Sequence, residues 1–285
     1  MTLPVILLNY NTTDDCRKCI SFLHKQTGVD LEIIVVDNCS KDVNRMAVEK
    51  LCKEEGCTFI ANTRNAGYNA GNNVGLRYAA DRGYEFALIA NPDMEFPQKD
   101  SIEKMVSMIN SDEDIAAFGV DVITKEGIHQ NPRLYKRQKW QDSFSWMKQL
   151  FQKYDKEAPG WVDSHERSHY CRGLNGCCLL IRLSFIKSIG FFDERTFLYG
   201  EEAILARQVA MAGKKMFYAS DIQVVHDHKK SAEGNPLTLF KYWQHSRLHA
   251  IKHYSDYPWY GKVFANLSIR MYFLLLKLKV LITKK

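Results

Sequence analysis

A carboxylate, Asp93, lies immediately beyond an apolar segment of the chain. The residues before it, ALIANP (87–92), run from small apolar side chains into Asn91 and Pro92. A carboxylate just past the end of a strand can bind Mg²⁺ or Mn²⁺, and these cations commonly bridge protein carboxylates to substrate phosphates. Pro92 would stiffen the turn that presents it. Asn-Pro-Asp is also an ordinary turn sequence, so the motif alone leaves a structural turn as the alternative.

Apolar runs typical of buried strands alternate with helical stretches in the first part of the chain. These runs are PVILLNYN (4–11), LEIIVVDNCS (31–40), CTFIAN (57–62) and YEFALIA (84–90). The alternation predicts an α/β fold with a mostly parallel central sheet flanked by helices. Three strands end in polar clusters, NYNT, DNCSKD and NPDME. Such clusters would meet at one sheet edge, where this topology binds ligands.

The glycine-rich phosphate-binding motifs of this topology do not occur in the sequence. No GxGxxG follows the first strand, and no GxxxxGK[ST] occurs anywhere. A nucleotide at the sheet edge would therefore be held by side chains and a metal ion.

The order of the motifs resembles the family 2 inverting glycosyltransferases with the GT-A fold, particularly their rhamnosyltransferase-like and capsule or O-antigen polysaccharide branch. The ordered set covers about residues 3–231 and consists of VILLNYN, IIVVDNCSKD, NTRNAGYNAGNNVGL, ALIANPD, NGCCLLIRLSFIKSIGFFDERTFLYGEEAIL and VVHDH. The resemblance implies transfer of a sugar from a UDP- or dTDP-linked nucleoside-diphosphate-sugar donor to a hydroxyl of a growing glycan. Bacterial enzymes of this kind often extend sugars on lipid-diphosphate carriers, so a lipid-linked glycan is the expected acceptor.

The resemblance also implies roles for individual residues. The donor-binding residues would be Tyr10, Asn11, Asp37, Arg64, Gly71 and Asn91. The metal ligands for Mn²⁺ or Mg²⁺ would be Asp93, at the position of the family's DxD motif, and His226 of VVHDH, with His228 as a fallback. Neutral imidazole is a better ligand for Mn²⁺ than for Mg²⁺.

Structural alternatives exist for several of these donor-binding residues. Asp37 could cap the helix after it. Arg64 could be a solvated surface cation, and Gly71 could be present because the backbone there has a positive φ.

The catalytic base implied by the resemblance is Glu202 of LYGEEAIL, with Glu201 as its neighbour. Family members usually have Asp as the second acid, so the side chain here is one methylene longer, and Ile204 stands where many members have a further Asp. Two carboxylates at a helix start are also favoured by the helix dipole, which is the structural alternative.

Positive charge is concentrated at the C-terminus. From Lys229 onward eleven Lys or Arg face two acids, a net charge of +9 in a chain of net charge +6. The apolar run MYFLLLKLKVLI (271–282) is interrupted by lysines and shorter than a span of about 20 apolar residues. It favours an interfacial helix on an anionic membrane surface, and a helix packed on the protein's own core is the alternative.

These patterns predict a catalytic domain at 1–230, with a nucleotide-binding half at about 1–95 and an acceptor half at about 96–230, and a basic helical extension at 231–285. The expected location is cytoplasmic, peripheral at the inner face of the plasma membrane, because MTLPVILLNYN lacks the features of a signal peptide. Residues 125–172 have no clear periodicity and are expected to shape the acceptor pocket.

Other residues that could bind metal have simpler interpretations. The eight cysteines are expected to be reduced thiols, and the Cys16/Cys19 pair is expected to be structural filler because no second pair at zinc-like spacing accompanies it. His245, His249 and His253 share a helical face without an HExxH motif, and packing or surface roles are expected.

Three rival functions stay open. A sugar-nucleotide nucleotidyltransferase would need a basic glycine-rich loop after the first strand, which NYNTTDDC lacks. A non-catalytic glycan- or polyanion-binding protein is the second. Nucleic-acid binding is the third, and no nucleic-acid partner is expected because the tail's aromatics are not interleaved with its basic residues.

Overall fold

The computed structural model describes residues 1–133, 139–149, 164–227 and 236–283. The strands in these residues are β1 (Thr2–Asn9), β2 (Asp30–Asp37), β3 (Thr58–Ala61), β4 (Phe86–Ala90), β5 (Met94–Glu95), β6 (Ile115–Ile123), β7 (His169–Cys171), β8 (Cys178–Arg182) and β9 (Lys215–His226). The helices are α1 (Thr13–Leu23), α2 (Asp42–Glu55), α3 (Tyr68–Asp81), α4 (Ser101–Asn110), α5 (Trp146–Gln149), α6 (Leu183–Ser188), α7 (Glu201–Met211), α8 (Pro236–Tyr254) and α9 (Trp259–Thr283), with a 3₁₀ helix at Trp140–Phe144.

The strands form one mixed sheet in the order β3-β2-β1-β4-β8-β6-β9-β5, with β7 paired to β9. Neighbours among β3, β2, β1 and β4 are parallel. Strand β8 is antiparallel to both β4 and β6, and β9 returns parallel to β6. The predicted α/β class is confirmed. All pairings are parallel in the half of the sheet built from the first 90 residues, and the other half is mixed.

Strand β9 is one continuous strand, whereas the sequence KKMFYASDIQVVH predicts two short strands. Its register against β6 jumps from the pair Val120↔Ala219 to the pair Asp121↔Gln223. Residues 220–222 therefore bulge out of the ladder. The polar residues at this bulge interrupt the apolar alternation, which explains why the prediction was wrong.

Helices cover both faces of the sheet. One buried cluster joins residues of α1, α2 and α4 to alternate strand positions such as Val5 and Leu7. The other joins α3, α6 and α7 to the opposite face, including Ile6. The predicted core role of the Cys16/Cys19 pair is confirmed, because both thiols are buried in the first cluster, and all eight cysteines are free.

Gly71 lies in the first turn of α3 and faces the sheet. A Cβ there would be 2.4 Å from Leu8 Cδ1, and one on Gly75 would be 2.6 Å from Ile6 Cγ2. Both glycines therefore let α3 pack closely on β1. The alternative that Gly71 has a positive φ is wrong, because the positive φ in this region belongs to Gly67 (φ 99) at the N-cap of α3. Contact of Gly71 with the donor stays a prediction.

The C-terminal residues form a helical pair, α8 and α9, that packs on the rest of the chain. A small core between the two helices contains Ile251, Ala265 and Ile269. Arg207 of α7 donates from Nε to the carbonyl of Tyr254 (2.8 Å), which ties α8 to the sheet domain. Among the helices that the structure describes, none is long and apolar enough to cross a membrane.

Candidate active site

The carboxyl ends of β1 and β2 are fastened together by Asp37. These strands are in register at Asn9↔Asp37. Asn9 Nδ2 donates to Asp37 Oδ1 (2.7 Å), and the Ser40 amide donates to Asp37 Oδ2 (3.0 Å). The Asp37 side chain is buried. It does not cap α2, whose N-cap is Lys41. The carboxylate thus fixes two loops at the sheet edge, and its direct contact with a nucleotide stays a prediction.

Tyr10 and Asn11 form the loop above this edge. Asn11 has a left-handed backbone (φ 60), its amide donates to Ser40 Oγ (2.9 Å), and its Oδ1 accepts from the Lys41 amide (2.9 Å). Tyr10 is 50% exposed. Asn11 therefore holds the loop, whereas the aromatic side chain of Tyr10 is exposed at this edge. The contact of either residue with a donor stays a prediction.

Asn91, at the start of the NPD turn, is joined to α3 through Tyr68. The Tyr68 hydroxyl lies 3.2 Å from Asn91 Oδ1 and 2.8 Å from the carbonyl of Gly176. Burial raises the pKa of Tyr68 well above its usual value, so the hydroxyl keeps its proton as a donor. Sequence reasoning missed Tyr68, because its role depends on α3 passing the end of β4.

Glu202 lies beside the same tyrosine. A Cβ built on Gly176 would be 3.5 Å from Glu202 Cγ and 3.7 Å from the Tyr68 hydroxyl, so both side chains border Gly176. The fold thus brings the acidic pair next to the NPD turn from more than 100 residues away in the chain, as predicted for one site.

Glu201, the first residue of α7, differs from its neighbour in environment. Burial raises the pKa of Glu201 to about 8, and the charge of Glu202 adds to the effect. Within the described part of the chain, Glu201 Oε2 is buried and has no hydrogen-bond partner. A carboxyl that carries its proton at neutral pH does not serve as a base there, which leaves Glu202 as the candidate base.

Asp93 and His226 are adjacent because β5 pairs antiparallel with β9, with Met94 opposite His226. His226 Nε2 lies 3.3 Å from Asp93 Oδ2. On the other side of the ring, Nδ1 lies 2.8 Å from Gln130 Oε1. An amide oxygen only accepts hydrogen bonds, so Nδ1 donates to Gln130 and Nε2 is the ring nitrogen that faces Asp93.

This arrangement fits a divalent cation. A metal-binding histidine usually donates its second ring N–H to such an oxygen acceptor. In residues 1–133, 139–149, 164–227 and 236–283 no group of three or more His, Cys, Asp or Glu could hold a metal. Asp93 and His226 would therefore leave most coordination positions to substrate oxygens and water, as is usual for cations that bridge phosphates. His228 lies outside the described residues.

Gln130 belongs to the segment 125–172, for which the sequence predicted no structure. Its contact with His226 shows that this segment reaches the site. Whether the segment shapes an acceptor pocket stays a prediction, and residues 134–138 and 150–163 lie outside the described structure.

An ion-pair network flanks the Asp93–His226 pair. Lys18 Nζ lies 2.5 Å from Glu95 Oε1 and 3.0 Å from Asp227 Oδ2, and Lys125 Nζ lies 2.5 Å from Asp227 Oδ2. Hydrogen bonds from Lys125 and Lys18 lower the pKa of Asp227 to about 2. The network ties α1 to the ends of β5 and β9. No local pattern pointed to Lys18, which is 77 residues from Glu95.

Arg64 is exposed in the loop after β3. Burial raises the pKa of Glu194, but hydrogen bonds from Asn73 and Arg77 outweigh it and lower the pKa, and the positive charge of Arg64 adds to the lowering. The donor-binding role of Arg64 stays a prediction.

Comparison with known proteins identifies the family. Residues 5–174, more than half of the chain, match the family model described as Glycosyl transferase family 2. The chain belongs to this family. The family 2 assignment confirms the resemblance drawn from the motif order and the class of enzyme it implied.

Two relatives of the family 2 chain have curated names. The low-salt glycan biosynthesis hexosyltransferase Agl10 of Haloferax volcanii is 28% identical over 201 residues, which are 70% of this chain and 59% of that protein. The N-acetylglucosaminyl-diphospho-decaprenol L-rhamnosyltransferase of Mycobacterium tuberculosis is 23% identical over 257 residues, which are 81% of this chain and 78% of that protein.

Solved structures share the fold. The mannosyltransferase PcManGT from Pyrobaculum calidifontis, in complex with GDP-Man and Mn²⁺, aligns with a TM-score of 0.59 at 17% identity over 88% of this chain and 62% of that one. GalNAc-T7 with UDP, GalNAc and Mn²⁺ aligns with a TM-score of 0.63 at 15% identity over 87% of this chain and 48% of that one. These likenesses confirm the GT-A fold of the family 2 chain.

Proposed function

We propose that this family 2 glycosyltransferase is an inverting enzyme that moves a sugar from a nucleoside-diphosphate-sugar, UDP- or dTDP-linked, to a hydroxyl of a growing glycan. The observation that carries the proposal is the meeting of Glu202 with the turn of Asn91 and Asp93 at the carboxyl edge of the sheet. The name of the mycobacterial relative, which acts on a decaprenol-linked diphosphate sugar, supports a lipid-linked acceptor.

In the proposed reaction, Glu202 takes the proton of the acceptor hydroxyl as that oxygen attacks the anomeric carbon of the donor. The new C–O bond forms on the face opposite the leaving nucleoside diphosphate, whose C–O bond breaks with the electron pair passing to the β-phosphate. The anomeric configuration inverts. Glu201, protonated at neutral pH, adds no second negative charge next to the base.

Asp93 and His226 would hold Mn²⁺ or Mg²⁺ in this proposal, and Gln130 keeps the imidazole in the tautomer that can bind metal. When bound, such an ion stabilises negative charge on the leaving diphosphate. Tyr68 contributes by holding Asn91 beside this position.

The stereochemistry of the product tests the proposed reaction. A panel of UDP-, dTDP- and GDP-linked sugars is incubated with the protein, Mn²⁺ and a lipid-diphosphate-linked acceptor, and the anomeric configuration of the product is determined by NMR. We expect one donor to give a product of inverted configuration. A retained configuration would contradict the mechanism. Release of pyrophosphate from a nucleoside triphosphate and a sugar phosphate would indicate nucleotidyl transfer instead.

Helix α9 carries an exposed apolar face. Nine large apolar residues, each between 37% and 79% exposed, fall within an arc of about 160° at 3.6 residues per turn. They are Trp259, Tyr260, Val263, Phe264, Leu267, Met271, Leu274, Leu275 and Leu278. The opposite face, with Ala265 and Ile269, packs on α8. One face of α9 thus packs on α8, whereas the other is largely exposed, with Trp140 packed against Tyr260 and Phe264 near its start.

A lipid bilayer is the partner we propose for this face. Residues 236–283 carry seven Lys or Arg and one acid, a net charge of +6, which suits an anionic surface. Trp259 and Tyr260 at the start of the helix are residue types that anchor at membrane interfaces. The enzyme would then work from the cytoplasm as a peripheral protein at the inner face of the plasma membrane, where a lipid-linked acceptor lies.

Substitutions on this face test the membrane proposal. We expect the triple variant Leu267→Gln, Leu274→Gln, Leu278→Gln to lose most of its co-sedimentation with vesicles containing phosphatidylglycerol, because three buried leucines would contribute about 1.5–3 kcal/mol each. Val43→Gln, Met46→Gln on α2 alters apolar residues that are even more exposed, at 81% and 67%, and is the control. Unchanged vesicle binding of the triple variant would refute the proposal. A concentration-dependent dimer that the triple variant abolishes would assign the face to a second copy of the chain instead.

A further inference from the structure

The loop between α6 and α7, residues 189–200, ends directly at Glu201 and Glu202; we call it the catalytic loop. Two of its bulky residues, Phe191 (φ 70) and Tyr199 (φ 72), have left-handed backbone conformations. Residues with bulky side chains rarely adopt this backbone region, and they do so only where contacts with the rest of the protein hold the backbone in place. The contacts that fix this loop therefore bear on the position of the acidic pair.

Helix α3 holds one side of the catalytic loop. Asn73 Nδ2 donates to the carbonyl of Phe192 (2.9 Å), and the Phe192 amide donates back to Asn73 Oδ1 (3.0 Å). Asn69 Nδ2 donates to the carbonyl of Asp193 (2.8 Å). These bonds come from within the sheet domain.

Helix α8, from the C-terminal extension, holds the other side. His249 Nε2 donates to Asp193 Oδ2 (2.7 Å), and Ser246 Oγ donates to the carbonyl of Leu198 (3.0 Å). The rings of Phe197 and Tyr242 stack with centroids 4.5 Å apart. Anchors from α8 thus occur at three points along the catalytic loop, and the last of them, at Leu198, is three residues before the start of α7.

Asp193 is the centre of these contacts. Its side chain is 3% exposed and that of His249 is 9% exposed. Burial alone would raise the pKa of Asp193, but hydrogen bonds from Arg195, His249 and Tyr254 outweigh it and hold the pKa well below its usual range. A buried carboxylate that stays charged depends on its donors, so losing one of them perturbs the loop that carries it.

We propose that His249 is a positioning residue for sugar transfer: through Asp193 it fixes the catalytic loop and thereby the placement of Glu202. This inference rests on the proposed role of Glu202 as the base. His249 acts through Asp193 and does not itself meet the substrate. The donor-binding turn at Asn91–Asp93 lies between β4 and β5. It meets the catalytic loop through Tyr68, whose amide donates to the carbonyl of Phe197 (2.9 Å), so we expect its ligand contacts to be affected less than the position of Glu202.

The test uses the full-length chain with three variants. His249→Ala removes the donor to Asp193, whereas His249→Gln can return an amide N–H near the place of Nε2. His245→Ala is the matched control, because His245 is exposed on the same helix four residues earlier. The measurements are kcat, the donor KM, and amide hydrogen exchange in residues 192–200.

For His249→Ala we expect kcat to fall about 10- to 100-fold, since small misplacements of a catalytic group have effects of this size. The donor KM should stay within about twofold, because the donor-binding turn is affected less than the position of Glu202. Exchange should rise in residues 192–200 and stay unchanged in β1 and β4. His249→Gln should recover most of kcat, and His245→Ala should match the wild type.

Two results would overturn the proposal. One is wild-type turnover and wild-type exchange in His249→Ala. The other is a loss that His249→Gln does not relieve, with faster exchange throughout the sheet, which would mean a general role in stability. Failure of the proposed function looks different: the wild type itself then transfers no sugar.

Discussion

Replacing Glu202 by Gln is expected to lower kcat for sugar transfer by about 10²- to 10⁴-fold, the contribution typical of a general base. Glutamine keeps the size of the side chain but cannot take the proton of the acceptor hydroxyl. The donor KM and the melting temperature should change little, because the donor-binding turn is on other elements. Steady-state kinetics with a lipid-linked acceptor and a thermal melt check both expectations.

Glu201→Gln is the matched comparison for this experiment. Glu201 is adjacent in the chain, and its pKa is raised to about 8 by burial and by Glu202. At pH 7 it therefore carries a proton already, and an amide in its place should alter kcat far less than Glu202→Gln does. Near-normal turnover of Glu202→Gln, or equal losses in the two variants, would show that the base is assigned to the wrong residue.

Replacing Asp93 by Ala is expected to abolish metal-dependent binding of the nucleoside diphosphate. At a ligand concentration 100-fold above Kd, binding stabilises a protein by about 2.7 kcal/mol. Most of that stabilisation should disappear, since His226 alone cannot hold a cation against the diphosphate. The measurement is a thermal shift with UDP, dTDP, GDP and CMP, each with Mn²⁺ and with EDTA.

Asp81→Ala, at the exposed end of α3, is the control for this series and should behave as the wild type. The stabilisation that the nucleotide gives Asp93→Ala in the presence of Mn²⁺ should be no larger than the stabilisation it gives the wild type in EDTA. A diphosphate shift that is independent of Mn²⁺ in the wild type would contradict a metal-assisted site. A shift that Asp93→Ala retains in full would place the cation elsewhere.

Local sequence patterns predicted the elements that position the site. Continuous apolar runs marked the central strands, because strands buried on both faces have no polar positions to alternate with. Polar residues at the strand ends marked the ligand edge, and Glu202 was predicted from motif order. The first two signals lie within about ten residues of chain, which is the range over which periodicity and turn chemistry act, whereas the motif order that indicated Glu202 covers about residues 3–231.

The supporting residues could not be predicted in this way. Gln130 matters because it lies 2.8 Å from His226, a residue 96 positions away. Asn9 was visible only as a polar residue at the last position of a buried strand. The packing role of Gly71 depends on Leu8, across the helix–sheet interface. Such contacts follow from the tertiary arrangement, which no window of the sequence contains.

The position of α8 also affects when the site can first work during synthesis. The family 2 match ends at residue 174, Glu202 follows it, and Ser246 and His249, which anchor the catalytic loop, come later still. Domains fold from the N-terminus as the chain leaves the ribosome. A nascent chain that has exposed only its sheet domain already contains the acids and the Asn91–Asp93 turn, but not the helix that fixes their loop. The contacts of the catalytic loop with α8 therefore form only after residues 246–249 have been made.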